Sequence, residues 1–372
     1  MDCKRLFAPG GLIARRMSRY EVRPQQLEMA AAVSRAFERG EHLLVEAGTG
    51  VGKTFAYLAA AIDRIAEHNQ RVVISTHTIA LQEQLINKDI PFLAAIMPQE
   101  FSAVLVKGRG NYLGRRRLDR TRQRRSLLFD QGRSLAEVQR IAEWSDRTDD
   151  GSLADLGFRP SAEVWDQVRS EQGNCMGRRC SEYGRCFYQR ARRRARHANL
   201  LVVNHALFFA DLAVRQRGSS LLPDYDLAVL DEAHTIEEVA GAHLGMSVSD
   251  AQVRFLLDRL YNDGTKRGLL ASCHAEAAVR TVARVRAVAD GFFEALTVWQ
   301  ETRGRANGRL IAPPPVKNTL SDALRSLADH LKALRRQTTD ESDRFEINAY
   351  LERAMVLASE IEHLLKQNSS DW

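Results

Sequence analysis

The chain has 372 residues, more than one ordinary hydrophobic core requires, so two or three domains are expected. Hydrophobic residues make up 44% and charged residues 27%, a balance that excludes fibrous and disordered classes, and no apolar run approaches a membrane span. The net charge of +7 suits a polyanionic partner. Met1 to Gly11 is basic but lacks the long apolar stretch of a secretory signal, so a cytoplasmic location with no membrane partner is expected.

In chain order, Arg23-Pro24-Gln25-Gln26-Leu27 opens a helix running to about Arg39. His42-Leu43-Leu44-Val45 reads as a buried strand, and Phe55 to Ile62 as a helix. Between them lies Glu46-Ala47-Gly48-Thr49-Gly50-Val51-Gly52-Lys53-Thr54, the strand–loop–helix setting that a phosphate-binding loop requires. Gly48, Gly50 and Gly52 let the backbone N–H groups of the loop, with Thr49 and Val51, turn toward phosphate oxygens. Lys53 is placed to reach the β- and γ-phosphates of ATP and Thr54 to ligate Mg²⁺, while the helix N-terminus favours negative charge. A glycine-rich turn without a ligand is the plainer alternative, and a second site argues against it.

That second site comes later. Strands are expected at Arg71–Ser75, Ala103–Val106, Leu200–Val203 and Tyr225–Leu230. Helical stretches between them point to a parallel sheet covered on both faces. The last strand ends in Asp231-Glu232-Ala233-His234. A carboxylate at that strand tip lies beside the phosphate loop of a parallel sheet, where Asp231 holds Mg²⁺ and Glu232 polarises the attacking water. Thr76 to Thr78 stand at the start of a helix to Leu85 and offer hydroxyls and N–H groups to a sugar-phosphate backbone.

From Asn111 to His197 the strand–helix rhythm stops, which marks an insertion. Lys107 to Arg133 carries ten Lys/Arg against two acids, and Gln189 to His197 is denser still. A solvated helix face is the bland reading of one such run; two runs flanking one insertion on an ATPase suggest a nucleic-acid groove. Cys175, Cys180 and Cys186 have the spacing C-x4-C-x5-C. In a reducing compartment this suggests an iron–sulfur or zinc site, His197 being a possible fourth zinc ligand, rather than disulfides; three unliganded thiols in a loop are the alternative. Cys3 and Cys273 have no such company. Beyond Ser247 the pattern is helical at Ala251–Leu260, Glu276–Val298, Leu320–Arg335 and Glu346–Leu365, with Gly304–Lys317 as a connector.

With these residues in place, the chain resembles the DinG/XPD-type superfamily 2 DNA helicases, in particular their DinG/YoaA branch. Phe7–Gly11 and Tyr20–Gln26 resemble the family's entry segment, Ala47–Thr54 its motif I, and Ser75–Leu85 its motif Ia. Lys107–Leu113 resembles the lead-in to an iron–sulfur insertion, and Val203–Leu207 and Asp231–His234 complete the order. The resemblance covers residues 5–245 and implies an α/β fold. It consists of a RecA-like parallel sheet over 1–110 and 197–246, a cysteine-containing helical insertion over 111–196, and a partial helical arch over 247–372. It further implies that Gln26 recognises adenine and that Thr78, Lys107, Arg109 and Tyr112 contact single-stranded DNA. Two departures stand out. Where the family places its first cluster cysteine the chain has Gly114, so a four-iron cluster is three-Cys ligated, completed by another group, or lost. Motif III and the second RecA-like domain, with its arginine finger, are not seen before Trp372. The resemblance therefore implies the ATP-binding half of a 5′→3′ DNA helicase of repair or replication, served by a separately encoded second domain if the chain is a natural product. A non-enzymatic ATP-dependent module that binds DNA or a partner protein is the alternative, and an exonuclease fusion is disfavoured by the lack of acidic motifs before Arg23.

Overall fold

The computed structural model describes residues 3–17, 20–129, 132–273, 275–308 and 312–367. The chain divides into two compact units, one of Met1–Gly108 with Arg190–Gly245 and one of Arg109–Gln189 with Met246–Trp372.

The first unit is built on four parallel strands, β1 (Val72–Thr76), β2 (Ala103–Leu105), β3 (Leu200–Asn204) and β4 (Leu227–Leu230), in the order β2-β3-β1-β4. Alternation along each strand divides the side chains between two faces. Val72, Ile74, Leu200 and Val202 enter one cluster with the helix Lys53–His68, while Val73, Leu201 and Val203 meet Phe208 and Phe209 on the other face. Ala56 to Ile62 are all buried, as expected of a helix that is apolar on every side. The register pairs Thr76 with Asn204 and Ser75 with Leu230, so the C-terminal tips of β1, β3 and β4 lie at one edge. Helices start there with side-chain caps: Thr78 Oγ1 accepts from Leu81 N at 3.2 Å, and Asn204 Oδ1 from Leu207 N at 2.9 Å.

One expected strand is not in this sheet. His42–Val45 pairs with no strand among the described residues, and its apolar side chains face water, Leu44 being 89% exposed. Among the described residues β4 has a sheet neighbour on one side, β1, and Leu227 to Leu230 are at most half-buried. An apolar run becomes a strand only when a ladder is available to satisfy its N–H and C=O groups, and none reaches this run.

The second unit is helical. Asp250–Leu260, Glu276–Arg303, Leu320–Gln337 and Glu341–Lys366 share a core that includes Leu257, Val282, Leu324, Leu331, Ile347 and Ala354. The last of these helices starts with an Asp340 cap, its Oδ1 accepting from Asp343 N at 2.9 Å. The helix Arg115–Gln123 holds much of the first basic run, and several of those arginines are tied to groups of the same unit. Arg117 is 6% exposed, lies 3.2 Å from the Glu171 carboxylate, and donates to the Arg169 and Asp166 carbonyls. Arg116 donates to Asn174 and Ser342. Arg120 reaches Asp340 at 2.9 Å and also Asp343, which Arg124 meets at 2.6 Å. Part of the positive charge that suggested a nucleic-acid groove is thus neutralised by the acidic start of Glu341–Lys366. Arg122 and Arg125 stay exposed.

Candidate nucleotide site

The loop before Lys53–His68 turns through two glycines with positive φ, Gly50 at 82° and Gly52 at 86°, values that L side chains rarely adopt. Gly52 also has no room for a side chain, because a Cβ would lie 2.1 Å from Gln26 Nε2. The loop is held from the entry segment. The Arg23 guanidinium donates to the Gly50 carbonyl, and Gln26 donates to the Gly52 carbonyl at 2.9 Å. Gln26, buried, accepts from the Tyr20 hydroxyl at 3.3 Å. Gly48, Thr49 and Gly50 are exposed, and Val51, Lys53 and Thr54 half-buried, so the inner side of the loop is open to solvent.

The acidic tip lies beside it. Lys53 Nζ is 4.0 Å from Glu232 Oε1, each side chain being 32% exposed. Tyr57, one turn after Lys53, donates to Asp231 Oδ2 at 3.1 Å. The tip is fixed by its backbone: Asp231 N donates to the Ser75 carbonyl at 2.8 Å, and Glu232 N to Asp231 Oδ1 at 3.1 Å. Glu232 takes φ 58° and ψ 47°. Such a left-handed glutamate costs of order 1 kcal/mol or more and is typically kept where geometry matters more than comfort. Two residues separated by 178 positions in the sequence, Lys53 and Asp231, thereby serve one locus.

A buried polar layer backs this locus. Ser75 Oγ and His205 Nδ1 are 2.7 Å apart and both side chains are almost fully buried. Burial pushes the His205 imidazole below its ordinary pKa, with the Asp231 backbone pulling the other way and His77 adding to the depression. Tyr57 is pushed well above the ordinary phenol range, first by burial and then by the Asp231 charge. Sequence reasoning passed over Tyr57, His205 and Arg23 as site residues. The available signal for Tyr57 was its i+4 spacing from Lys53, which puts both on one helix face; its aromatic ring reads as core instead.

The expected DNA contacts divide between the two units. Thr78 is exposed beside the tip of β1, where its side chain caps a helix, and Lys107 is half-buried at the end of the first unit. Arg109 and Tyr112 belong to the second unit. Arg109 stacks over Tyr188 at 4.2 Å and donates to the Glu171 carbonyl at 3.2 Å. Tyr112 is 1% exposed and faces Tyr188, so its ring has no free face for a base, contrary to the expectation from its motif.

The cysteine expectation is also revised. Among the described residues no group of three or more His, Cys, Asp or Glu is gathered to hold a metal ion. Cys175, Cys180 and Cys186 are half-buried, and burial first, then the Cys175 and Cys180 thiols, push the Cys186 thiol above its ordinary range. At the fourth position Gly114 N donates to the Val168 carbonyl at 2.8 Å, and a Cβ there would stand 3.3 Å from the same oxygen. With Gly114 at the fourth position three thiolates are available where a four-iron cluster takes four, and His197 is exposed.

Comparison with known proteins points to helicases. Residues 23–118 match the DEAD/DEAH box helicase family. The chain is 38% identical over 249 residues to the ATP-dependent DNA helicase YoaA of Escherichia coli, spanning 66% of this chain and 38% of that protein. It is 39% identical over 247 residues to the ATP-dependent helicase DinG of Mycobacterium tuberculosis, spanning 60% of this chain and 37% of that protein. The chain thus spans under two fifths of the length of these relatives. A solved chain described as truncated XPD aligns over 88% of this chain and 81% of its own at 14% identity, with a TM-score of 0.40, too loose a likeness to argue from. Residues 23–118 thus carry a DEAD/DEAH box helicase segment, and the chain is homologous to the YoaA and DinG helicases over 249 and 247 residues.

Proposed function

We propose that this chain is the ATP-binding part of a DNA helicase that moves 5′→3′ along single-stranded DNA in repair or replication. The observation that carries the reading is the meeting of the phosphate loop with the acidic tip, Lys53 to Glu232 at 4.0 Å and Tyr57 to Asp231 at 3.1 Å. Gly48 to Gly52 would wrap the phosphates with backbone N–H groups, Lys53 would contact the β- and γ-oxygens, and Gln26 would release Gly52 to meet the adenine. Thr54 and Asp231 would hold Mg²⁺, which neutralises charge on the transferring phosphoryl group. Glu232 would orient the attacking water and take its proton. Thr78 and Lys107 would touch the strand's phosphates, so binding would ignore sequence and weaken with salt. The polarity rests on the family resemblance alone.

A second RecA-like domain, from the same polypeptide or encoded separately, would add the arginine that stabilises transition-state charge, worth roughly 10³–10⁵ in rate. Residues 1–372 alone should therefore bind ATP and single-stranded DNA and turn ATP over very slowly. Steady-state ATPase assays with and without oligonucleotide test this. Fast DNA-stimulated turnover by the isolated chain would refute it.

A further inference from the structure

Tyr57 is apolar in setting but polar in its attachments. It sits in the helix Lys53–His68 with its ring 3% exposed, and its hydroxyl is turned toward the strand tip. That hydroxyl donates to Asp231 Oδ2 at 3.1 Å. Asp231 Oδ1 is occupied by Glu232 N at 3.1 Å. A phenol of the loop helix therefore holds the side chain of the acidic tip that is assigned to Mg²⁺.

We infer that Tyr57 is a positioning residue for the metal: it fixes the Asp231 carboxylate in the orientation that a divalent cation bound to a nucleotide requires. The inference rests on the proposed ATP site and deepens it. The phenol donates to Asp231, and a donor behind a metal-binding carboxylate sets which lone pair faces the ion. Among the described residues no other side chain is seen to donate to the Asp231 carboxylate. Removing the hydroxyl while keeping the ring leaves the helix packing intact and the carboxylate free to turn.

The test uses the full chain, ADP and Mg²⁺. ADP affinity is measured by calorimetry in EDTA and across a Mg²⁺ titration for wild type, Tyr57→Phe, Asp231→Asn and the double variant. Tyr57→Phe should leave ADP affinity in EDTA unchanged and raise the Mg²⁺ midpoint about ten-fold, the low end of the effect of losing an outer-shell partner. In the Asp231→Asn background the same change should have little further effect, since the group it positions is gone. An equal loss with and without Mg²⁺ would reduce Tyr57 to a packing residue and overturn the inference, as would an unmoved midpoint or additive effects. If the wild type binds no ADP under any condition, the nucleotide site itself fails, a result distinct from the others.

Discussion

Lys53→Ala separates the site from the fold. In the nucleotide-free chain Lys53 has Glu232 as its partner at 4.0 Å, and both side chains are about a third exposed. Coulomb's law at an effective dielectric constant near 20 gives roughly 4 kcal/mol at that distance, but solvent and salt reduce exposed pairs to about 0.2–1 kcal/mol. Removing the ammonium should thus lower the melting temperature by no more than about 1–3 °C. The bound nucleotide changes the partner. A charge-assisted hydrogen bond to phosphate is worth about 1.5–3 kcal/mol, equivalent to a loss of affinity of roughly 10–150-fold. Calorimetric titration with ADP and ATP, beside a thermal melt of the same samples, reads both quantities. Unchanged affinity in a folded variant would refute the assignment of the loop, and a collapse of the fold would refute the estimate of the pair's small structural weight.

Three further outcomes follow from the same geometry. Asp343→Ala should destabilise the helical unit by about 3 kcal/mol, because Arg120 and Arg124 would face each other across a site where Asp343 is only 8% exposed; urea denaturation with a shift below about 0.5 kcal/mol would show the cluster to be incidental. Leu44→Glu should reduce self-association in sedimentation velocity, since Leu43, Leu44 and Val45 are 45%, 89% and 37% exposed in an unpaired apolar run; identical behaviour of variant and wild type would argue that the run is covered. The His205 imidazole, whose proton affinity is held below the ordinary 6.5 mainly by burial, binds its proton more readily in the unfolded chain. Its contribution to stability is therefore complete above about pH 6.5 and is lost as the pH falls below that. His205→Gln should flatten the acid side of the stability profile, and parallel slopes in the two proteins would contradict the burial argument.

The loop, the acidic tip and the sheet between them were legible because each is local. Glycines at fixed offsets before Lys53, an acidic pair directly after an apolar strand, and β-rich runs of four or five residues carry their meaning within a dozen positions. What was not legible depends on partners far along the chain. His42–Val45 has the composition of a buried strand, yet whether it joins the sheet depends on a neighbouring ladder that the run does not specify. The arginines of Arg115–Gln123 read as a polyanion surface until Asp340 and Asp343, more than 200 residues later, meet Arg120 and Arg124. Tyr112 sits in a motif that suggested a base contact, but its ring is needed inside the helical unit. Tyr57 shows the converse, an apolar-looking core position whose one polar atom serves the site.

The central claim is that Lys53 and Asp231 address the same metal-bound nucleotide. A crystal structure of the chain grown with ADP and Mn²⁺ in place of Mg²⁺ tests it most directly, the anomalous signal locating the ion. The expected result puts the ion beside Thr54 and Asp231, with the β-phosphate within hydrogen-bonding distance of Lys53 Nζ and the loop N–H groups. An ion or nucleotide bound away from these side chains, in crystals where the loop is ordered, would contradict it.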